Sequence, residues 1–233
     1  MIFRQLFDRD SCTYTYLLGD EATGRAVLID PVVELIDRDL QIIEELGLTL
    51  AMSIDTHVHA DHVTAASLLK ERTGCQIAYP SSGDAQGPCV SLKHGDWIEV
   101  DSIRLEVRHT PGHTAGSATF VLADHSMAFT GDTLFVRGCG RTDFQGGSAE
   151  TLYASVHERI FSLPDSCLLY PGHDYKGRTV TTIGEEKIHN PRLGGGRTVE
   201  QFVQIMDGLN LAYPKKIDVA VPANRRLGAA SAE

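Results

Sequence analysis

The sequence lacks any pair of cysteines at the spacing of a CxxC motif, and its five cysteines are widely separated and odd in number. They are Cys12, Cys75, Cys89, Cys139 and Cys167. Isolated thiols are typical of a reducing compartment, whereas small secreted domains carry closely spaced disulfide frameworks. We therefore expect a cytoplasmic protein whose fold does not depend on disulfides.

Long apolar runs are also absent. Residues 1–10 contain early acidic residues and no apolar core of the length that a signal peptide needs, so no signal peptide is expected. No other stretch is long enough to span a bilayer, and we expect no membrane partner. Basic residues are outnumbered, with 21 lysines and arginines against 31 acidic residues and a net charge of -10. This balance argues against a nucleic-acid partner.

The sequence does contain enough apolar material for a substantial core. Its 233 residues are 42% hydrophobic and 22% charged, which suits one large domain or two small ones. Alternating and β-branched runs predict strands in two blocks, each followed by helices. We predict a mixed α/β fold in a single domain over residues 1–233, with two sheets packed face to face and helices outside. A short helical tail is expected from about residue 180.

The boundaries of these elements follow from periodicity, turn residues and caps. Strands are expected at residues 2–7, 12–18, 25–29, 50–54, 76–79, 97–107 (a hairpin), 118–122, 127–130 and 166–170. Helices are expected at residues 34–46, 63–72 and 183–188, and after the capping residues Ser148 and Thr198.

One motif concentrates four potential metal ligands within six residues, and it lies between a predicted strand and a predicted helix. It reads Thr56-His57-Val58-His59-Ala60-Asp61-His62. Alternation in its extended part places His57 and His59 on the same side, as chelating imidazoles require. Asp61 and His62 fall at the expected start of the helix, where the Asp61 carboxylate would also be a good cap. The motif predicts a metal centre on this loop.

Three further residues share one local design, an apolar strand followed by a turn that carries a metal-ligand side chain. They are His113, Asp132 and His173. Pro-Gly precedes both histidines, and this turn chemistry lets the backbone present an imidazole at the end of a strand. Loop ends on a rigid scaffold are where binding sites are usually built. Each residue alone could equally be a surface or hydrogen-bonded side chain, but with the motif they form a complete ligand set.

Together these residues resemble the ligand set of the metallo-β-lactamase superfamily, and the whole chain fits its order of elements. In this sequence the set is His57, His59, Asp61, His62, His113, Asp132 and His173. The resemblance implies an αββα sandwich with the site at one edge of the two sheets. The HxHxDH motif is specific for the superfamily and does not name the reaction. Spacing alone leaves open which ligands are used, because every ligand of a two-metal hydrolase is present.

Segments outside the shared metal motif narrow the resemblance. Gly131-Asp-Thr-Leu followed by Gly138-Cys-Gly is similar to glyoxalase II, which handles a glutathione thioester. The continuation Arg141-Thr-Asp-Phe-Gln is similar instead to the persulfide dioxygenases, the family of the ethylmalonic encephalopathy protein. Residues 170–178 and 182–192 resemble the same family. Because these segments lie outside the metal motif, they discriminate between the families better than it does.

The resemblance implies a mononuclear non-haem iron(II) enzyme, with one iron per chain, that oxidises glutathione persulfide with O2 and water to sulfite and glutathione. The iron ligands and catalytic residues that it implies are His57, His113 and Asp132. Two histidines and one carboxylate leave three coordination positions open. The other candidates would lie near the metal and orient its ligands, or would hold a second metal. They are His59, Asp61, His62 and His173.

Charge and resemblance together indicate substrate contacts. Glutathione carries two carboxylates and the chain is acidic, so local arginines would have to hold it, and Arg141 and Arg192 are the candidates. Tyr175, close to His173, matches a glutathione-contacting tyrosine of glyoxalase II by position. Cys139 could be a redox-sensitive thiol, but the favoured interpretation is a small residue in a tight Gly-Cys-Gly turn.

Two other functions stay open at this stage. A glyoxalase II-like enzyme would use two metals, whose bridging hydroxide attacks a thioester carbonyl. A metal-binding sulfur carrier or sensor would bind metal without turnover, which a complete ligand set with open positions argues against. Metal content and oxygen uptake separate the three functions. The sequence also leaves the oligomeric state open, with a homodimer as one expectation.

Overall fold

The apolar and β-branched runs of the chain form two β-sheets. The computed structural model describes residues 1–229, and within them the chain has twelve strands and six α-helices. Each sheet has six strands, and their spatial order equals their order in the sequence. Contacts divide the chain into two compact units. The first comprises Met1–Leu92, Trp97–Arg104 and the described residues from Pro214 onward, and the second comprises Lys93–Asp96 and Leu105–Tyr213.

The elements follow one another along the chain without long gaps. The strands are β1 (Ile2–Phe7), β2 (Tyr14–Gly19), β3 (Arg25–Ile29), β4 (Thr49–Ile54), β5 (Gln76–Pro80), β6 (Val90–Leu92), β7 (Trp97–Val100), β8 (Ile103–His109), β9 (Ala118–Leu122), β10 (Met127–Gly131), β11 (Leu168–Pro171) and β12 (Thr181–Thr182). The helices are α1 (Ile36–Glu45), α2 (Ala66–Thr73), α3 (Ala149–Ser155), α4 (Ile183–His189), α5 (Val199–Asp207) and α6 (Ile217–Arg225).

In the first unit, strand direction brings two loops to one sheet edge. β1, β2 and β3 are antiparallel, and β3, β4, β5 and β6 are parallel. Ile29 at the end of β3 is in register with Ile54 at the end of β4. Because the carboxyl ends of parallel strands open at the same edge, Asp30 and the metal motif leave the sheet side by side. Residues of α1, α2 and the strands share one buried core cluster in this unit.

The second unit repeats this arrangement with its own pair of parallel strands. β10 pairs in parallel with β11, and Gly131 is in register with Pro171. Asp132 and the segment that carries His173 therefore leave the sheet at the same edge. A core cluster that includes Leu152, Leu169 and Phe202 packs the helices of this unit against its strands.

The predicted mixed α/β fold with two sheets is confirmed. The strands at residues 2–7, 25–29 and 118–122 have the predicted bounds. Ser148 caps α3 by accepting a hydrogen bond from the Thr151 N–H. Thr198 and Gln201 form the predicted capping box of α5.

Other predictions at the ends of elements were wrong or missing. Asp61 does not cap a helix, because α2 begins only at Ala66 and its N-cap position is Ala65, which makes no side-chain hydrogen bond. β6, β12 and α6 were not predicted. α6 contains Pro222 in its interior, a residue that normally interrupts a helical pattern.

The prediction of a single domain with a helical tail from about residue 180 stays a prediction. No helix within residues 1–229 combines the length and the apolarity that crossing a bilayer demands.

Candidate metal centre

The histidines of the metal motif lie close together and out of solvent. His57, His59 and His62 are all buried on the loop between β4 and α2. The ring centroids of His57 and His59 are 4.1 Å apart, and those of His59 and His62 are 4.3 Å apart. The prediction that His57 and His59 lie on the same side is therefore confirmed.

Asp30, which follows β3, organises the start of this loop. Its Oδ1 accepts a hydrogen bond from the Thr56 N–H at 2.6 Å, and its Oδ2 accepts one from the Thr56 hydroxyl at 2.9 Å. The same Oδ1 lies 3.1 Å from Nε2 of His59. Asp55 adds a second buried carboxylate, whose Oδ1 lies 3.7 Å from that nitrogen. Two carboxylates thus fix the His59 ring from its Nε2 side.

This buried cluster shifts the pKa values of its members. Burial opposes a charge on His59, but the Asp30 and Asp55 carboxylates outweigh it and raise the pKa of His59 to about 9. Burial raises the pKa of Asp55 to about 7, against the lowering effect of His59. Because a carboxylate oxygen can only accept a hydrogen bond, the contact of His59 Nε2 with Asp30 Oδ1 requires a proton on Nε2. His59 Nδ1 is buried and has no hydrogen-bond partner in the protein.

The end of the motif forms a second polar group. Nδ1 of His62 lies 2.9 Å from Oδ2 of Asp61. Thr13, which immediately precedes β2, donates a hydrogen bond from its hydroxyl to the same oxygen at 2.9 Å. His59, Asp61 and His62 each offer one ligand atom, and these atoms lie within 4.8 Å of one another. This group satisfies the spacing of a metal site within the first unit.

In the second unit, three predicted residues meet around one carboxylate. Oδ1 of Asp132 lies 2.6 Å from Nδ1 of His173, and Oδ2 lies 3.5 Å from Nε2 of His113. Nδ1 of His113 lies 2.7 Å from the Arg141 carbonyl oxygen, which accepts its proton. A carbonyl or carboxylate on one ring nitrogen is the usual device for presenting the other nitrogen to a metal. His113 therefore presents Nε2 toward Oδ2 of the Asp132 carboxylate.

Two glycines make this close approach possible. A Cβ at Gly140 would lie 2.8 Å from His113 Nδ1, and one at Gly172 would lie 2.6 Å from Asp132 Oδ1. The Gly140 N–H also donates to the Asp132 carbonyl at 2.8 Å. The Pro-Gly and Gly-Cys-Gly turns thus serve the site by leaving room for its side chains.

A buried polar network braces the turn that contains Gly140. Glu186 on α4 is buried and accepts hydrogen bonds from the Arg137 backbone N–H and guanidinium. Asn190 donates to the Gly138 carbonyl at 3.1 Å and to Glu186 Oε2 at 2.8 Å. Arg192 donates to the Cys139 carbonyl at 3.0 Å. These contacts connect two of the segments that carry the family resemblance, residues 129–145 and 182–192.

Arg141 is engaged within the protein. Its guanidinium makes a bidentate pair with Asp143, with N–O distances of 2.6 and 2.7 Å, and Nη1 donates to the Ala212 carbonyl at 2.8 Å. The group also lies over the Phe144 ring, 4.6 Å from its centroid. Three of its five N–H donors are used, which leaves two for a ligand. Its role as a substrate anchor stays a prediction, as does that of Arg192.

Tyr175 and Cys139 have contrasting environments. Tyr175 is 70% exposed, and its ring stacks against that of His173 with centroids 6.0 Å apart. Its position suits a contact with substrate, which stays a prediction. Cys139 is buried, and burial raises the pKa of its thiol to about 11. A protonated, buried thiol fits the small turn residue that the sequence favoured.

Several polar residues of the site were missed from the sequence. In the first unit these are Asp30, Asp55, Tyr79 and Asn224, and in the second they are Arg137, Glu186 and Asn190. Asp30 had one local signal, because it ends an apolar strand just as Asp132 does. Asn224 had none, since its contacts with His59 and His62 span 165 and 162 residues of sequence.

Similar proteins share this fold over most of their length. A family model described as the metallo-beta-lactamase superfamily matches residues 90–173. The chain is 55% identical over 229 residues to the persulfide dioxygenase ETHE1, mitochondrial, of Bos taurus and of Homo sapiens, and each match covers 98% of this chain and 89% of the relative. The crystal structure of ETHE1 from Myxococcus xanthus is 56% identical, with a TM-score of 0.95, and the match covers 98% of this chain and 100% of that one.

Proposed function

The chain belongs to the persulfide dioxygenase family of the metallo-β-lactamase superfamily, and we propose that it oxidises glutathione persulfide with O2 and water to sulfite and glutathione. The resemblance drawn from residues 129–145, 170–178 and 182–192 is thereby confirmed, and so is the metallo-β-lactamase fold. The observation that carries the proposal is the identity of 55% over nearly the whole chain to relatives named for this activity.

The family relation implies a metal, and we propose that it is one iron(II) per chain held by His57, His113 and Asp132. The donor chemistry of these residues fits iron, because two imidazoles and one carboxylate are the typical protein ligands of non-haem iron(II) oxygenases. The glycines at 140 and 172 leave space around Asp132 and His113, which fits a ligand cradle. Iron in such a set has open positions and supplies redox chemistry with oxygen that zinc does not.

The protein's own part is to orient the ligands. The Arg141 carbonyl holds the His113 ring with Nε2 turned toward Asp132, and the contact of His173 with Oδ1 restrains the orientation of the Asp132 carboxylate. Asp30 and Asp55 hold His59, whose buried Nδ1 is available to a metal-bound group. We propose that His59, Asp61, His62 and His173 support the iron site without binding the iron.

Substrate recognition is proposed to depend on local positive charge. A glutathione persulfide has two carboxylates, and the chain carries a net charge of -10, so long-range attraction does not favour it. Arg141 and Arg192 each retain unused guanidinium donors, and exposed Tyr175 lies next to His173. These residues are the proposed contacts for the tripeptide.

A glyoxalase II-like hydrolase is the second candidate, and one observation favours it. His59, Asp61 and His62 satisfy the spacing of a metal group, which a two-metal enzyme would use. The names of the close relatives favour oxidation instead. One preparation should therefore be assayed for oxygen uptake with glutathione persulfide and for hydrolysis of a glutathione thioester. Oxygen uptake matched by sulfite supports the proposal, and thioester hydrolysis without oxygen uptake contradicts it.

The cytoplasmic location and a homodimeric assembly stay predictions. The location rests on the scattered cysteines, none of which is part of a disulfide in residues 1–229. The mammalian relatives are named mitochondrial, which is a property of those proteins.

A further inference from the structure

We propose that Asn224 is a positioning residue of the metal centre, whose buried side-chain amide fixes the backbone of the metal motif. It lies near the end of α6, far from the motif in sequence and outside every segment that suggested the family. The inference rests on the proposed function in one respect, because it takes the loop that carries the proposed ligand His57 as part of the metal centre. α6 contains no residue of the sequence motifs, and Asn224 would give this helix a role at the metal centre.

The contacts of Asn224 use both ends of its amide. Nδ2 donates to the His59 carbonyl and to the His62 carbonyl, each at 2.8 Å. Oδ1 accepts a hydrogen bond from the Thr64 N–H at 2.9 Å. Only this orientation of the amide matches two carbonyls with two donor hydrogens and one N–H with an acceptor.

The motif needs such a partner because its backbone has no regular structure. Residues 55–65 lie between β4 and α2, so their buried carbonyls and N–H groups find few ladder or helix bonds. The carbonyl of His57, the remaining histidine of the motif, accepts a hydrogen bond from the Tyr79 hydroxyl on β5 at 2.5 Å. Together the two side chains give every histidine of the motif a bonded carbonyl.

The burial of Asn224 shows that these bonds replace water completely. Its exposure is 0%, and those of His59 and His62 are also 0%. A buried carbonyl that loses its donor costs about 1–3 kcal/mol, and solvent cannot restore the bond without moving the loop. Loss of the Nδ2 donors should therefore displace the histidine backbones, and the rings move with them.

An isosteric substitution separates positioning from packing. Asn224→Asp keeps the volume and the acceptor for the Thr64 N–H, but it sets an oxygen against the carbonyls of His59 and His62. Asn224→Ala removes all three bonds. Leu227→Ala is the matched control. Leu227 follows α6 and is buried in a core cluster with Val58 and Tyr79. Its apolar side chain makes no hydrogen bond to the motif.

The expected effect is on metal affinity and on the ligand field. For full-length protein at a temperature where all variants are folded, Asn224→Asp and Asn224→Ala should bind Co(II) about 10- to 100-fold more weakly, the range typical of outer-sphere substitutions. Their Co(II) absorption bands should shift as well. Leu227→Ala should lower the melting temperature and leave affinity and spectrum close to those of the unsubstituted protein.

Amide hydrogen exchange of the metal-free chain gives a readout independent of metal and turnover. Asn224→Ala should speed the exchange of the Thr64 N–H, whereas Asn224→Asp should retain its protection. An unchanged Co(II) affinity and spectrum in folded Asn224→Asp would overturn the inference, and so would an affinity that merely follows melting temperature across all three variants.

The two proposals can fail separately. If the protein shows no persulfide oxidation but Asn224→Asp still weakens Co(II) binding, only the proposed function is wrong. If persulfide oxidation is present and Asn224→Asp binds metal normally, only the positioning role is wrong.

Discussion

The carboxylate of Asp132 is shared between two histidines, with Oδ1 at 2.6 Å from Nδ1 of His173 and Oδ2 at 3.5 Å from Nε2 of His113. The contact with His173 is the shorter by 0.9 Å, so it is the stronger restraint on the orientation of the carboxylate. Carboxylates that bind metals are typically oriented by hydrogen bonds of this kind. The proposed iron site therefore depends on His173 without requiring it as a ligand.

The first prediction concerns the ligand assignment. Asp132→Ala should abolish iron binding and activity, because it removes the only carboxylate of the proposed ligand set. His59→Ala should retain measurable iron, since His59 is held by Asp30 and Asp55 and is proposed to lie outside the ligand set. Elemental analysis after desalting measures both. An empty site in His59→Ala together with full iron in Asp132→Ala would show that the assignment is wrong.

The second prediction uses two glycines of the same turn. Gly140→Ala should disrupt the site, because its Cβ would lie 2.8 Å from His113 Nδ1. The expected cost is roughly 1–3 kcal/mol of unfolding free energy, together with a clear loss of iron. Gly138→Ala is the matched control, since a Cβ there meets nothing closer than Phe135 at 3.8 Å. The melting temperature and the iron content should fall in Gly140→Ala only. Equal melting temperatures and iron contents in the two variants would show that the site does not need glycine at position 140.

The third prediction concerns substrate binding by Arg141. Arg141→Ala should lower kcat/KM for glutathione persulfide by about tenfold to a hundredfold, as expected when a charged hydrogen bond worth roughly 1.5–3 kcal/mol is lost. Iron should be retained, because His113 is held by the Arg141 backbone carbonyl, which alanine preserves. Arg141→Lys should recover only part of the loss, since lysine has no bidentate fork.

Asp143→Asn provides the control for this experiment. It weakens the ion pair with the Arg141 guanidinium but leaves the arginine in place. If Arg141 only supports the loop, both substitutions lower the melting temperature and neither alters the kinetics per iron-loaded chain. That result would remove Arg141 from the substrate site.

The fourth prediction is that Cys139 is chemically inert in the folded protein. Burial raises the pKa of its thiol from 9.0 to about 11, so at pH 8 its thiolate fraction is roughly a hundredfold below that of an unperturbed thiol. Mass spectrometry after brief iodoacetamide treatment at pH 8 should find partly exposed Cys12 modified and Cys139 unmodified. Reactivity of Cys139 should rise only as pH approaches 11. Rapid labelling of Cys139 in native protein would restore a redox role for it.

The parts of the site that the sequence revealed are those with a short-range pattern. The HxHxDH spacing identified four residues of one loop, and the Pro-Gly turns identified His113 and His173. Strand boundaries were accurate where alternation or β-branching was strong, as in β1, β3 and β9. Local patterns of this kind determine where a strand ends and how neighbouring side chains are spaced, and for this reason they predict the loops that carry metal ligands.

The features of the site that the sequence did not predict depend on contacts between residues that are distant in the chain. Asn224 reaches the motif from a helix with a proline in its interior, so neither its position nor its role has a local pattern. Asp61 was wrongly assigned a capping role because the start of α2 is set by tertiary packing and lies several residues later. Arg141 was selected from the sequence as a candidate substrate anchor, but only the fold shows that its guanidinium is already paired with Asp143.

The most direct test of the account is the metal content of active protein. Full-length protein purified without added metal should be analysed for iron and zinc, and the same sample should be supplied with glutathione persulfide in an oxygen electrode. We expect one iron per chain, with oxygen uptake matched by sulfite. Two zincs per active chain, with no oxygen consumption, would contradict it.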